Sequence, residues 1–269
     1  MRVKYTITGS VLFVLVFLFF LGCHKKSDPS PSNLTCYITS VTNDSVKETG
    51  VIYDSQNRLI QINYYNSDGT IGSYAVASYD ANNRLSKVTT YDSTKVTSYN
   101  VCTYNADNTL AADTFYSISN NSAFITEYDS YTYNSSMQVV QITTHILNQY
   151  NQGPMPGFTV TSSTYSYNSA GNVEEENDFD ANNKLTAKID YTYDNYPNFI
   201  SSKYEPGDPS SFSKNNVLTA IETDSTGNVV TGSSYTATYT YNSENYVITS
   251  MYKDQDGSVL TESITYNCH

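Results

Sequence analysis

The chain of 269 residues contains no tryptophan and three histidines, His24, His145 and the terminal His269. Histidine is the usual general base and a common metal ligand near neutral pH, and three so scattered exclude a histidine-based zinc site or catalytic triad. Positive charge is scarce as well: 14 Lys and Arg stand against 26 Asp and Glu, a formal net charge of -12. Apart from Lys25-Lys26 the cations are dispersed, whereas nucleic-acid binding requires a basic patch or stripe, so a nucleic-acid partner is excluded. The four cysteines form no CxxC pair. No long segment carries a helical period, and the apolar run from Val11 to Leu21 is shorter than the ~20 residues that span a bilayer.

Catalytic and metal-binding readings fail on spacing. The densest acidic run is Glu174-Glu175-Glu176, but successive residues of a strand point to opposite faces. The three carboxylates therefore cannot converge, and the run reads as a solvated face. KDQDGSV at 253–259 offers Asp254 and Asp256 in calcium-loop fashion, yet Tyr252 stands where the first oxygen ligand belongs. Turn chemistry accounts for these residues. The expectation is a protein that is not an enzyme and carries no metal or cofactor.

What is present begins with an export signal. Arg2 and Lys4 precede the apolar run, which ends in Phe20-Leu21-Gly22-Cys23. This tetrapeptide resembles the lipobox of bacterial lipoproteins, with Phe20 in place of the usual Leu. The resemblance implies cleavage after Gly22 and a lipid, palmitate among its acyl chains, on Cys23. Residues 1–22 then form the signal peptide and residues 23–33 a lipid-anchored tether (HKKSDPSPSN after the cysteine), too polar to pack. Residues 34–269 form a single β domain. Loss of Arg2 and Lys4 takes the net charge from -12 to -14. With Cys23 lipidated, Cys36, Cys102 and Cys268 remain, which allows one disulfide and a free thiol, or none. A Cys36–Cys268 bridge would require the two ends of the domain to meet. Only one acid follows the lipidated cysteine, so an outer-membrane position facing the periplasm is expected over surface display.

A seven-residue unit recurs through the rest of the chain: aromatic, Asp or Asn, two variable residues, Asn or Gly, one variable residue, aliphatic. It reads YDSQNRL at 53–59, YNSDGTI at 65–71, YDANNRL at 79–85, YNADNTL at 104–110, YNSSMQV at 133–139 and YNSAGNV at 167–173. It continues as FDANNKL at 179–185, YDNYPNF at 193–199, TDSTGNV at 223–229, YNSENYV at 241–247 and KDQDGSV at 253–259. The fifth position is Asn or Gly in nine of eleven units. These two residues accept positive φ most readily, as a tight hairpin turn demands. Met137 and Pro197 are the exceptions, and Pro197 cannot take positive φ at all; the 193–199 turn should differ from its siblings. Between turns the chain alternates with period two. Leu185, Ala187, Ile189 and Tyr191 share one face and Thr186, Lys188, Asp190 and Thr192 the other, the mark of a half-buried antiparallel strand.

YDSQNRL and YDANNRL resemble the Tyr-Asp-x-x-Gly-Arg-Leu pattern of YD repeats, found in Rhs-type and teneurin-like proteins, with Asn57 and Asn83 in the glycine slot. A lipobox followed by such units is similar to YD-repeat lipoproteins of Bacteroidetes. The resemblance covers residues 34–268 and speaks to architecture; a shared fold does not carry a shared activity. The encapsulating role of Rhs shells is not carried over to so short a chain. The fold expected is all-β: an antiparallel meander of YD-type β-hairpin repeats, about 18 short strands in a long curled or open-barrel-like sheet. Two long insertions, 148–157 and 204–216, are expected on one rim.

Of the 27 tyrosines, most sit at repeat positions where strand packing explains them. Aromatics in or beside the insertions, Tyr150, Phe158, Tyr204 and Phe212, are the candidate ligand-binding residues. The function expected is a non-catalytic cell-envelope binding or scaffold module for a protein or glycan partner, joined to the membrane by its N-terminal lipid. The alternative is a carrier that holds a lipid or other apolar ligand on a concave face lined by residues such as Ile62, Val88 and Ile189.

Overall fold

The computed structural model describes residues 35–43, 46–147, 157–198 and 209–268. The signal peptide, Cys23, the tether, Tyr150 and Tyr204 lie outside the described residues. The strands are β1 (Cys36–Asn43), β2 (Val46–Tyr53), β3 (Leu59–Tyr65), β4 (Ile71–Tyr79), β5 (Leu85–Asp92) and β6 (Lys95–Tyr104). They continue as β7 (Leu110–Ser119), β8 (Ser122–Tyr133), β9 (Val139–Leu147), β10 (Phe158–Tyr167), β11 (Val173–Phe179) and β12 (Leu185–Pro197). A single helical turn, α1 (Pro209–Phe212), precedes β13 (Asn215–Asp224), β14 (Tyr235–Tyr241), β15 (Val247–Asp254) and β16 (Val259–Cys268). Each strand neighbours the next and β16 returns to β1, so the meander closes into a barrel of 16 strands. The expected open, curled sheet of about 18 strands is corrected on both counts.

The turn cassette follows from its sequence. Positions one and seven pair across the hairpin: Tyr53 with Leu59, Tyr65 with Ile71, Tyr79 with Leu85, Tyr104 with Leu110, Tyr167 with Val173 and Phe179 with Leu185. A register shift sits beside each pair, the bulge that tightens twist at a turn. The fifth residue is left-handed in ten of the eleven units, including Met137 at φ 60°. The second residue holds the loop: Asp54 Oδ1 accepts from the amides of Gln56 and Arg58 at 2.8 and 2.9 Å. Asp80, Asn134, Asn168, Asp180, Asp224 and Asn242 repeat that pair of bonds.

The bulge also fixes which residues are buried. Position seven and the residue three beyond it face the same way, giving Leu59 with Ile62, Leu85 with Val88 and Val139 with Ile142, all buried. On β12 Ala187 and Ile189 are buried and Thr186 and Asp190 exposed, the alternation read from sequence.

By contact the described residues divide into two compact units, one within 131–236 with 253–258 and the other within 35–130 with 237–252 and 259–268. The second unit contains the closure. Cys36 pairs with Cys268 in the β1–β16 register and the two form a disulfide, while Cys102 is buried and outside any disulfide. The ends of the domain do meet.

In the first unit residues 193–198 do not close a hairpin of their own. Without a residue that accepts positive φ, β12 runs on to Pro197, 13 residues in all. Asp194 keeps the first bond of the turn, accepting from the Tyr196 amide at 2.9 Å, but its second amide comes from across the sheet: Asn216 on β13 donates its backbone and side-chain amides to it at 3.1 and 3.0 Å. Loss of that turn removes a strand and changes the parity of the meander. The described part of the 204–216 insertion, α1 and the start of β13, therefore lies at the end of the unit that holds the 168–172 turn. There Val173 donates its amide to Ser213 Oγ at 3.0 Å and Lys214 its amide to Asn172 Oδ1 at 2.7 Å. Leu147 and Phe158, which flank the 148–157 insertion, lie at the opposite strand ends, so the described flanks of the two insertions do not share a rim.

Candidate functional site

Of the aromatic candidates read from the insertions, the two among the described residues, Phe158 and Phe212, do not come together. Phe158 starts β10, is 39% exposed and meets His145 edge-on at 6.4 Å. Phe212 ends α1 and packs edge-on against buried Tyr165 at 5.6 Å, where it serves the core. They belong to opposite ends of their unit.

A different surface emerges from the repeats of the second unit. At three successive turns on one end of the strands the cassettes are bolted together. Arg58 pairs with its own Asp54 at 2.7 Å, stacks on the Tyr79 ring of the next cassette at 4.6 Å and donates to Asn83. Arg84 does the same with Asp80, Tyr104 (4.3 Å) and Asn108 (3.0 Å). The first-position tyrosines add a second ladder. The hydroxyls of Tyr79 and Tyr104 donate to the Leu59 and Leu85 carbonyls at 2.7 and 2.6 Å. Backbone amides of Arg58 and Arg84 hold the Asp54 and Asp80 carboxyls below their ordinary range, with the guanidinium groups adding to the effect.

On the face that alternates with the buried residues, this frame carries four tyrosines on adjacent strands. Tyr74 (β4) and Tyr91 (β5) are directly opposed, their rings parallel within 7° at 4.7 Å. Tyr99 (β6) and Tyr116 (β7) are likewise opposed and stacked at 4.6 Å. Thr89 lies opposite Tyr99 and is two residues from Tyr91, so the pairs adjoin on the diagonal. Lys87 covers Tyr99 at 4.0 Å. All four rings are half-buried. At the Tyr74 edge of this strip a groove of about 400 Å³ is lined by Gln61, Asn63, Ile71, Gly72, Tyr74, Ser93 and Thr94. Gln61 donates to Asn63 Oδ1 at 2.7 Å. Asn63 is buried and Ile71 is 49% exposed, so the groove combines an amide floor with aromatic and aliphatic walls. Gly72 lies against the Asn66 side chain of the preceding turn, where a β-carbon would meet Asn66 Oδ1 at 2.5 Å. Sequence reading missed this strip because it assigned the tyrosines to packing. The signal was there in β-strand parity: Tyr74 and Tyr99 fall out of phase with buried Ala75 and Asn100.

The buried face is more polar than a core requires. At the position three beyond the cassette, where siblings have Ile62, Val88 and Ile142, the chain has Asp113 and Glu176, both fully buried. Asp113 lies directly opposite buried Asp129. Glu176 accepts from the hydroxyls of Tyr191 and Tyr165 at 2.7 and 3.4 Å. The acidic run at 174–176 is thus not wholly a solvated face: Glu175 points outward to Lys188 at 2.8 Å while Glu176 points inward. Buried Glu262 accepts from Ser250 at 2.9 Å; burial pushes its carboxyl above the ordinary range, Ser250 opposing and Glu48 adding to the rise. No group of three acids, histidines or cysteines that could hold a metal occurs among the described residues.

Comparison with known proteins finds no matching family profile and no matching curated protein. Among solved structures, the chain is similar to a porin-like protein from Bacteroides vulgatus (12% identity, TM-score 0.48, covering 87% of this chain and 99% of that one). It is also similar to a porin-like protein from Bacteroides uniformis (11% identity, TM-score 0.37, covering 86% and 98%). A third is the TcdB2–TccC3 toxin assembly (15% identity, TM-score 0.36), which covers 81% of this chain and 13% of that one. At these scores the likenesses carry no functional argument.

Proposed function

We propose that the chain is a non-catalytic cell-envelope lipoprotein that acts as a binding or scaffold module for protein or glycan. It is held at the outer membrane by a lipid on Cys23 and faces the periplasm. The observation that carries this reading is the tyrosine strip with its amide-floored groove, displayed on a frame of interlocked turns. Rigid, partly exposed aromatics on a fixed scaffold are what a recognition surface needs.

The outward face of the strands supports attachment by lipid over insertion. A membrane-spanning barrel shows an apolar band to the bilayer. Here β12 shows Thr186, Lys188, Asp190 and Thr192, with Lys188 bonded to Glu175 and Asp190, and β14 shows Thr236, Thr238 and Thr240. The alternative of an apolar-ligand carrier is less well supported. Ile62 and Val88 are buried at 1% and 5% exposure, and Asn100 and Asp113 share their face, a poor lining for an apolar guest.

The test is fractionation followed by binding. Wild-type protein is expected in the membrane fraction and the Cys23→Ala variant in the soluble fraction. The soluble variant, passed over immobilised sacculi, envelope glycans and detergent-extracted envelope proteins, should be retained by at least one. A Cys23→Ala protein that stays with the membrane defeats the anchor, and retention by none of the three defeats the binding role.

A further inference from the structure

We infer that the groove beside Tyr74 is a binding site for an uncharged glycan, whose pyranose ring stacks on the tyrosine while its hydroxyls bond to the Gln61 amide. The inference rests on the proposed binding role and assigns it a place and a ligand class.

The chemistry runs from the ring outward. The face of a tyrosine ring carries the negative lobe of its quadrupole, and the axial C–H bonds of a pyranose are weakly positive, so the two stack flat. Tyr74 is held for this by its parallel contact with Tyr91 at 4.7 Å, which limits the ordering cost of binding. Of that pair only Tyr74 lines the groove, so it is the terminal ring of the strip. Sugar hydroxyls are at once donors and acceptors, and they match an amide, which also offers both. Gln61, Ser93 and Thr94 supply such groups around the groove, and none of its lining residues is charged. Ile71, 49% exposed at the start of β4, offers the apolar patch that a sugar's C–H edge covers.

Charge selects among glycans. The chain carries a net charge of -12, and the cation nearest the strip, Lys87, is engaged over Tyr99. A polyanionic glycan would be repelled by the first and would find no cation in the groove. A neutral hexose polymer meets neither obstacle. The size agrees as well: about 400 Å³ lies in the range of small-ligand sites and suits one or two sugar rings rather than a folded partner.

Affinity electrophoresis of the full chain in mild detergent decides the matter, with gels that contain a neutral glucan, a neutral mannan or polygalacturonate. Retardation is expected in at least one neutral gel and none in polygalacturonate. Tyr74→Ala should weaken it at least tenfold, Tyr74→Phe should preserve it because the ring face remains, and Gln61→Ala should weaken it several-fold. Melting curves that match wild type show that Tyr74→Ala is folded; should it fail to fold, Gln61→Ala against Tyr74→Phe decides. Free passage through both neutral gels, retardation by polygalacturonate alone, or retardation that survives Tyr74→Ala overturns the inference. If the glycan gels fail while an envelope protein is still retained by the immobilised-fraction test, this site assignment falls and the broader binding role stands.

Discussion

Met137 is the position where the repeat and its residue disagree most openly. It takes φ 60° in a slot filled by Asn or Gly in nine of the other ten units. A residue with a β-carbon in left-handed geometry costs about 1–2 kcal/mol, and Asn pays less because its short polar side chain bonds locally. Met137 is 58% exposed, so little burial offsets that cost. Asn at 137 would keep the turn bonds, Ser136 and Gln138 donating to Asn134 at 2.9 and 3.0 Å and Met137 donating its own amide to the Asn134 carbonyl at 3.0 Å. Met137→Asn should therefore stabilise the protein by about 1 kcal/mol, which for a domain of this size is a rise in Tm of about 2–4 °C. Met137→Gly should gain less, since glycine's greater freedom in the unfolded chain returns about 0.5–1 kcal/mol. Met137→Ala, with the same β-carbon penalty, should gain nothing from this source. Circular-dichroism melts and urea midpoints of the three variants check the order. A Met137→Asn protein no more stable than wild type, or an Ala variant that matches it, would refute the reasoning.

The disulfide joins residues 232 apart in sequence. Loop-closure entropy puts its contribution at about 5 kcal/mol, so the Cys36→Ala/Cys268→Ala protein should melt well below wild type, and thermal melts in reductant should reproduce the drop. The pH dependence has two opposed parts. Asp54, Asp80 and Asp180 titrate below their ordinary value of 3.8, and the Thr226 hydroxyl and neighbouring amides take Asp224 down to about 2. The stability these groups give is full above their unfolded values and is lost as pH falls through the folded ones, so urea midpoints should drop between pH 4 and 2. Glu262 acts with the opposite sign: its folded value lies above 4.5, and its contribution fades as pH rises through that value. Glu262→Gln should remove this fading, so its advantage over wild type should grow from pH 4 toward pH 7. An advantage that shrinks over that range would exclude the assignment.

The turn chemistry was legible because it is local. Asn or Gly at the fifth position and Asp or Asn at the second determine a loop without reference to distant residues, and even Met137 follows its siblings. The strand count and the placement of the insertions depended on one residue. Pro197 marked its unit as different, but where the chain would complete that turn depends on the partner strand: Asp194 keeps the local Tyr196 amide and takes its second from Asn216 on β13, 22 residues on. The acids at 113 and 176 were legible in principle, by comparing the residue three beyond each cassette, but only once the bulge had set that residue on the buried face. The tyrosine strip lies furthest from sequence. Stacking of Tyr74 on Tyr91 and Tyr99 on Tyr116 is a matter of register between strands, and register cannot be read until the hairpins are laid side by side.

Closure of the ring by β1 and β16 sets the order in which the molecule can be made. Every other strand pairs with its neighbour in sequence, but β1 must wait for the last strand to arrive, across the whole length of the domain. Until then two strand edges rich in Thr and Tyr stand open, and open edges are templates for pairing with other chains. The final hairpin both completes the barrel and covers the two edges its strands would otherwise present for edge-to-edge aggregation. The Cys36–Cys268 bond then locks the pair that took longest to form.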